Sequence, residues 1–168
     1  MTGAEALGSN VFRRALRRQQ SRRDNYFQPR TYVGQWLAAN ATFEPMEVRT
    51  KLGSLLNGGK PGISPSDIAV VSEACKLVLA QVLPESPSDS EIADLVSNVW
   101  AMLSTTPDHR LSELAIRSAL GDKSADTGEI SRADFLRIHS LMFGGISIRL
   151  LHLTNEAINA LVASAERS

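Results

Sequence analysis

Apolar positions along the chain recur at intervals of three and four, and this spacing predicts helices along most of its length. Ile68, Val71, Cys75, Val78 and Val82 fall on one face of a helix over about residues 65–83. Ile92, Leu95, Val96, Val99 and Leu103 do the same over about residues 88–104. Leu111, Leu114, Ala115 and Ala119 mark a shorter helix before Gly121, and Phe135, Ile138, His139 and Met142 another before Gly144-Gly145. Thr154 opens a last helix carrying Ala157, Ile158, Leu161 and Val162. Upstream, Thr31–Ala41 carries Tyr32, Trp36 and Leu37, and Pro45 opens a segment with Val48, Leu52 and Leu55 in phase.

Start signals support these assignments. Ser64-Pro65, Ser86-Pro87 and Thr106-Pro107 each set a hydroxyl before a proline, the pairing suited to the first positions of a helix. Asp67 follows Ser64, Glu91 follows Ser88 and Asp134 follows Ser131 at the spacing of a capping box, in which side chain and backbone cap each other. Only Ile146–Leu150 alternates in the manner of a strand. The expected fold is therefore all-α, a compact single-domain bundle of seven or eight short helices with an N-terminal Arg-rich helical arm. It divides into a basic arm, residues 1–30, and an acidic helical domain, residues 31–168.

Composition narrows the class without naming it. The chain has 168 residues, 43% of them hydrophobic, which is enough for one domain with its own core. Its single cysteine, Cys75, excludes an intramolecular disulfide scaffold and favours an intracellular, cytoplasmic setting. No apolar run approaches the roughly 20 residues that a membrane-spanning helix needs. An Arg-rich, acid-poor start is also compatible with organellar import or a virion.

Charge changes the picture more. The formal net charge is zero, from 18 basic and 18 acidic residues, but it is segregated along the chain. Residues 1–30 hold seven arginines, no lysine and two acids, a net of +5, so the remainder carries −5. From Asn10 onward a helix would set Arg14, Arg18 and Arg22 in an i, i+4 row beside Arg13 and Arg17, with Arg23 following. Like charges at that spacing repel, so the row calls for an anionic neighbour. Phosphates of RNA or DNA supply one, met by bidentate guanidinium contacts, and an acidic protein surface supplies another. Tyr26 and Phe27, next along the chain, are candidates for stacking on bases, or for core anchors.

Asp122, Ser124 and Asp126, followed by Gly128, Ile130, Ser131 and Asp134, resemble the calcium loop of the EF-hand family, with oxygen ligands at alternate positions and a glycine turn. The resemblance implies Asp122, Ser124, Asp126 and Asp134 as calcium ligands and a pair of flanking helices. Thr127 lengthens the loop by one residue, and Asp134 stands where the longer glutamate is usual. An Asp/Ser/Gly-rich turn ahead of a capped helix accounts for the same residues.

Nothing points to catalysis. His139 and His152 read as core or boundary histidines, Cys75 as a small buried hydrophobe, and Asn57-Gly-Gly-Lys60-Pro61 as a phosphate loop out of register. The expectation is a non-enzymatic binding or assembly protein without a cofactor. Its arm would engage a polyanion while its helical body contacts a protein partner or further copies of itself. A basic arm on a small helical body is similar in layout to coat and nucleocapsid proteins. The alternatives are an EF-hand-derived regulator that binds a partner helix and a self-assembling subunit whose arm docks on a neighbouring body.

Overall fold

The computed structural model describes residues 26–57 and 64–168, which form seven α-helices. They are α1 (Tyr32–Ala41), α2 (Met46–Asn57), α3 (Pro65–Val82), α4 (Asp89–Trp100), α5 (His109–Ala119), α6 (Arg132–Gly145) and α7 (Asn155–Glu166). There is no strand among the described residues. The chain is all-helical, as the periodicity predicts.

Local chemistry sets most of the helix starts. The Ser64 side chain accepts from the Asp67 N–H, and the Asp67 carboxylate accepts from the Ser64 N–H, a complete capping box with Pro65 in the first turn. Thr31, Ser88, Ser131 and Thr154 cap their helices through the same kind of side-chain acceptor. Two starts differ from the hydroxyl–proline expectation. At α4 the cap is Ser88, and not Ser86, so Pro87 lies outside that helix. Asp108, and not Thr106, caps α5, its carboxylate taking the Leu111 N–H at 2.9 Å, so Pro107 lies outside the helix.

Helix α3 is the centre of the bundle, packing on α6, α7, α1 and α5. Val71, Ala74, Cys75, Val78 and Leu79 form its buried stripe, while Ile68 and Val82 at its ends are only half-buried. Around it Leu37, Val96, Trp100, Ile116, Phe143, Ile146 and Val162 complete one continuous core. Helix α2 packs chiefly on α1 and lies at the edge of this arrangement.

Gly144-Gly145 does not end α6. The helix runs through both glycines and widens into a π-helical turn, Ile146–Leu150, so the strand-like alternation there is not a strand. Tertiary packing explains this. A Cβ on Gly145 would sit 2.5 Å from Val99 Cγ1, so the missing side chain lets α6 press against α4. The π turn then buries both Ile146 and Ser147. Gly145→Ala should therefore destabilise the fold by about 1–3 kcal/mol, because the β-branched Val99 has little rotamer freedom to yield. Denaturant melts should show Val99→Ala in the same chain recovering part of that loss. Equal losses in both variants would disprove the contact's role.

Candidate functional site

Arg13, Arg14, Arg17, Arg18, Arg22 and Arg23 lie outside the described residues, as do residues 58–61 of the Gly-Gly-Lys-Pro segment. Tyr26 and Phe27 lie at the point where the arm meets the body. Their rings contact each other edge-on at 5.1 Å, with 51% and 48% of their surface exposed. They are not core anchors. The C-terminal end of α7 holds this segment. Arg167 places its guanidinium 4.0 Å over the Tyr26 ring and donates to the Tyr26 carbonyl at 2.8 Å. The adjacent Glu166 carboxylate accepts from the Arg30 N–H at 2.8 Å, the Thr31 N–H at 2.6 Å and the Thr31 hydroxyl. An anion at the start of α1 also complements the helix dipole. Gly34 makes room for it, since a Cβ there would lie 2.6 Å from Glu166 Oε2.

The loop between α5 and α6 uses its acidic side chains locally. Asp122 accepts from the Ser124 N–H at 2.9 Å and the Ser124 hydroxyl at 2.6 Å. These two hydrogen bonds hold its carboxyl below the usual carboxylate range. Asp126 accepts from the Gly128 N–H at 3.0 Å, which is an Asx turn. Asp134 takes the Ser131 hydroxyl at 2.9 Å, within the α6 cap. Glu129 turns away to Arg110, 2.9 Å distant. Ile130 is buried. The flanking helices are in place, but no cluster of three or more His, Cys, Asp or Glu able to hold a metal occurs among the described residues.

His139 is buried and fully bonded. Its Nε2 lies 2.8 Å from the Ala115 carbonyl, so Nε2 carries the proton, and Nδ1 accepts from the Ser72 hydroxyl at 2.8 Å. Burial lowers its pKa below the ordinary histidine value, opposed by the Ala115 hydrogen bond. His152 differs from the core or boundary position expected of it. It is exposed and occupies a left-handed backbone conformation, φ 49°, where the chain turns from the π segment into α7. Cys75 is buried in the core, and desolvation pushes its thiol pKa far up, which removes it as a nucleophile at neutral pH.

A half-open cavity of about 750 Å³, which the sequence does not foreshadow, lies between α1, α2, the end of α4 and α6 with its π turn. One stripe of the last element faces it: Arg137, Leu141, Gly144 and Ile148, at helical spacing. Arg49 from α2 and Arg149 from the π turn also line it, and none of its lining residues is acidic.

No protein-family model matches the chain, and no curated protein and no solved structure matches it. No helix among the described residues is long and apolar enough to cross a membrane.

Proposed function

We propose that this chain is a non-enzymatic binding or assembly protein whose Arg-rich N-terminal segment engages a polyanion, RNA or DNA, while the helical body makes protein–protein contacts. The observation that carries this is the segregation of charge: seven arginines and no lysine in residues 1–30, against a body of net −5. Arginine without lysine favours oriented, bidentate phosphate contacts over simple solubilisation. The hold of Arg167 and Glu166 on residues 26–31 supports the same reading, because it ties the base of the arm to the bundle. Tyr26 and Phe27 offer exposed aromatic surface beside the arginines, although Arg167 already covers one face of Tyr26.

With Arg13, Arg14, Arg17, Arg18, Arg22 and Arg23 each on a phosphate, affinity for single- or double-stranded oligonucleotides should fall about a thousandfold between about 50 and 200 mM salt. Removal of residues 1–24 should abolish it. Gel shifts or anisotropy titrations across salt check both statements, and no binding at low salt would sink the proposal. A second reading, docking of the arm on the acidic body of a neighbouring copy, rests on the same +5 and −5. It requires oligomers in light scattering that dissociate with salt and whose 260/280 absorbance ratio is that of protein alone.

A further inference from the structure

We propose that the cavity between α1, α2, α4 and α6 is a binding site for an amphipathic anion, an aliphatic chain ending in a carboxylate or phosphate. Its size, about 750 Å³, lies within the range of small-molecule sites. Its apolar surface comes from Val99, Leu103, Leu136, Leu141 and Ile148. Three arginines supply the polar part: Arg49, Arg137 and Arg149.

Their surroundings separate these three from the other arginines of the body. Arg110 pairs with Glu129, Arg117 with Asp89, Arg167 sits on Tyr26, and Arg132 is engaged as well. The three cavity arginines meet no carboxylate among the described residues, although the body as a whole is acidic. Arg149 has only a weak acceptor, the Met102 sulfur at 2.7 Å. The Nε of Arg49 is buried without any acceptor among the described residues, and an unmet buried donor of a charged group is costly. An anionic head group would meet one or more of these cations, while its chain would lie on the apolar wall, which no helix among the described residues covers.

Charge decides against the chain's own basic arm as occupant. The six arginines before residue 26 would be brought to a cavity already lined by three. Neutral apolar ligands leave the arginines unanswered, and a head group alone leaves the wall bare.

Gly144 provides a clean test. It lines the cavity, and a Cβ there would meet nothing within 4 Å, so Gly144→Leu starts from open space and adds side-chain volume at the cavity wall. The full-length protein is titrated with hexadecanoate, lysophosphatidic acid and the uncharged hexadecanol, each below its aggregation concentration, with Trp36 fluorescence and calorimetry as readouts. Trp36 lines the cavity. Saturable 1:1 binding of hexadecanoate or lysophosphatidic acid is expected, and whichever binds tighter distinguishes a carboxylate from a phosphate head. Hexadecanol should bind at least about tenfold more weakly, as should either anion to Arg49→Gln or Arg137→Gln, the ratio for one lost charge-assisted hydrogen bond. Gly144→Leu should abolish binding while the circular dichroism spectrum stays that of the parent. Were that variant to unfold, the two arginine variants still decide.

Absence of saturable binding by both anions would overturn the proposal. So would anion binding untouched by Gly144→Leu and by both arginine variants, which would place it on the arm instead. Dimerisation lost in Gly144→Leu without lipid binding would put a second copy in the cavity and overturn it equally.

Discussion

Trp100→Ala should lower the unfolding free energy by about 3–5 kcal/mol, a large part of the 5–15 kcal/mol typical of a whole domain. Trp100 is the largest fully buried side chain, with 1% of its surface exposed, at the C-terminal end of α4. Truncation removes its apolar contacts and leaves a cavity that the surrounding helices fill only in part. The indole also belongs to a short hydrogen-bond relay. Its Nε1–H donates to Ser112 Oγ at 3.1 Å, and the Ser112 hydroxyl donates to the Asp108 carbonyl at 2.7 Å. Asp108 is in turn the cap of α5, so the relay joins the last turn of α4 to the first turn of α5.

Ser112→Ala keeps the ring but leaves the buried indole N–H without its acceptor, at a cost of about 1–3 kcal/mol. Trp100→Phe removes that donor, so combining it with Ser112→Ala should cost less than the sum of the two single changes. Urea melts of the four chains check this, with the slope of unfolding free energy on denaturant held constant as evidence of two-state behaviour. Strict additivity, or an alanine variant within about 1 kcal/mol of the parent, would show that α4 and α5 are not coupled through this ring.

Those features that the sequence discloses are the ones that local chemistry determines. Ser64, Ser88, Ser131 and Thr154 are legible as helix starts because a cap needs only a hydroxyl and an N–H a turn away. The buried stripe Val71, Cys75, Val78 is legible because helical spacing alone gathers it on one face. Gly145 misleads for the opposite reason. Taken locally a Gly-Gly pair reads as a stop, whereas here it is a gap for Val99, a residue 46 positions earlier in the chain. The turn at Ile146–Leu150 fails in the same way, since it buries the consecutive pair Ile146 and Ser147 and leaves Leu150 exposed, which its apolar alternation does not disclose.

The candidate sites divide along the same line. The Asp122–Asp134 pattern is visible because oxygen-bearing residues alternate, yet alternation serves Asx turns and caps equally well, and these carboxylates are bonded that way. Arg49, Arg137 and Arg149 are invisible as a group because α2, α6 and the π turn meet only in the folded bundle. Even the charge segregation that suggests a basic arm hides them, since it counts them as minor offsets within an acidic body.

His139 carries the second large effect, in which pH should govern stability. In the fold the ring is neutral, with Nε2–H donating to Ala115 and Nδ1 accepting from Ser72, and Phe135 packs edge-on at 5.5 Å. A proton added to Nδ1 would reverse the hydrogen bond with Ser72 and place a cation in the core, and this burial of charge lowers the folded pKa. In the unfolded chain the same ring titrates near its ordinary value of 6.5. Below that pH the unfolded state holds more protons than the folded one, so stability must fall as the solution is acidified. The contribution is fully present above about pH 6.5 and declines from there down to the lowered folded pKa. Urea melts at steps from pH 7.5 to 5.5 should show this decline, ahead of any carboxylate protonation. His139→Gln should flatten it, because an amide does not titrate, while itself costing about 1–3 kcal/mol at pH 7.5 through imperfect replacement of the two hydrogen bonds. A decline that survives the substitution would show that His139 is not its source. A flat profile in the parent would mean instead that the bundle admits the charged ring, and that the Ser72–His139–Ala115 bridge between α3, α6 and α5 is looser than its 2.8 Å contacts imply.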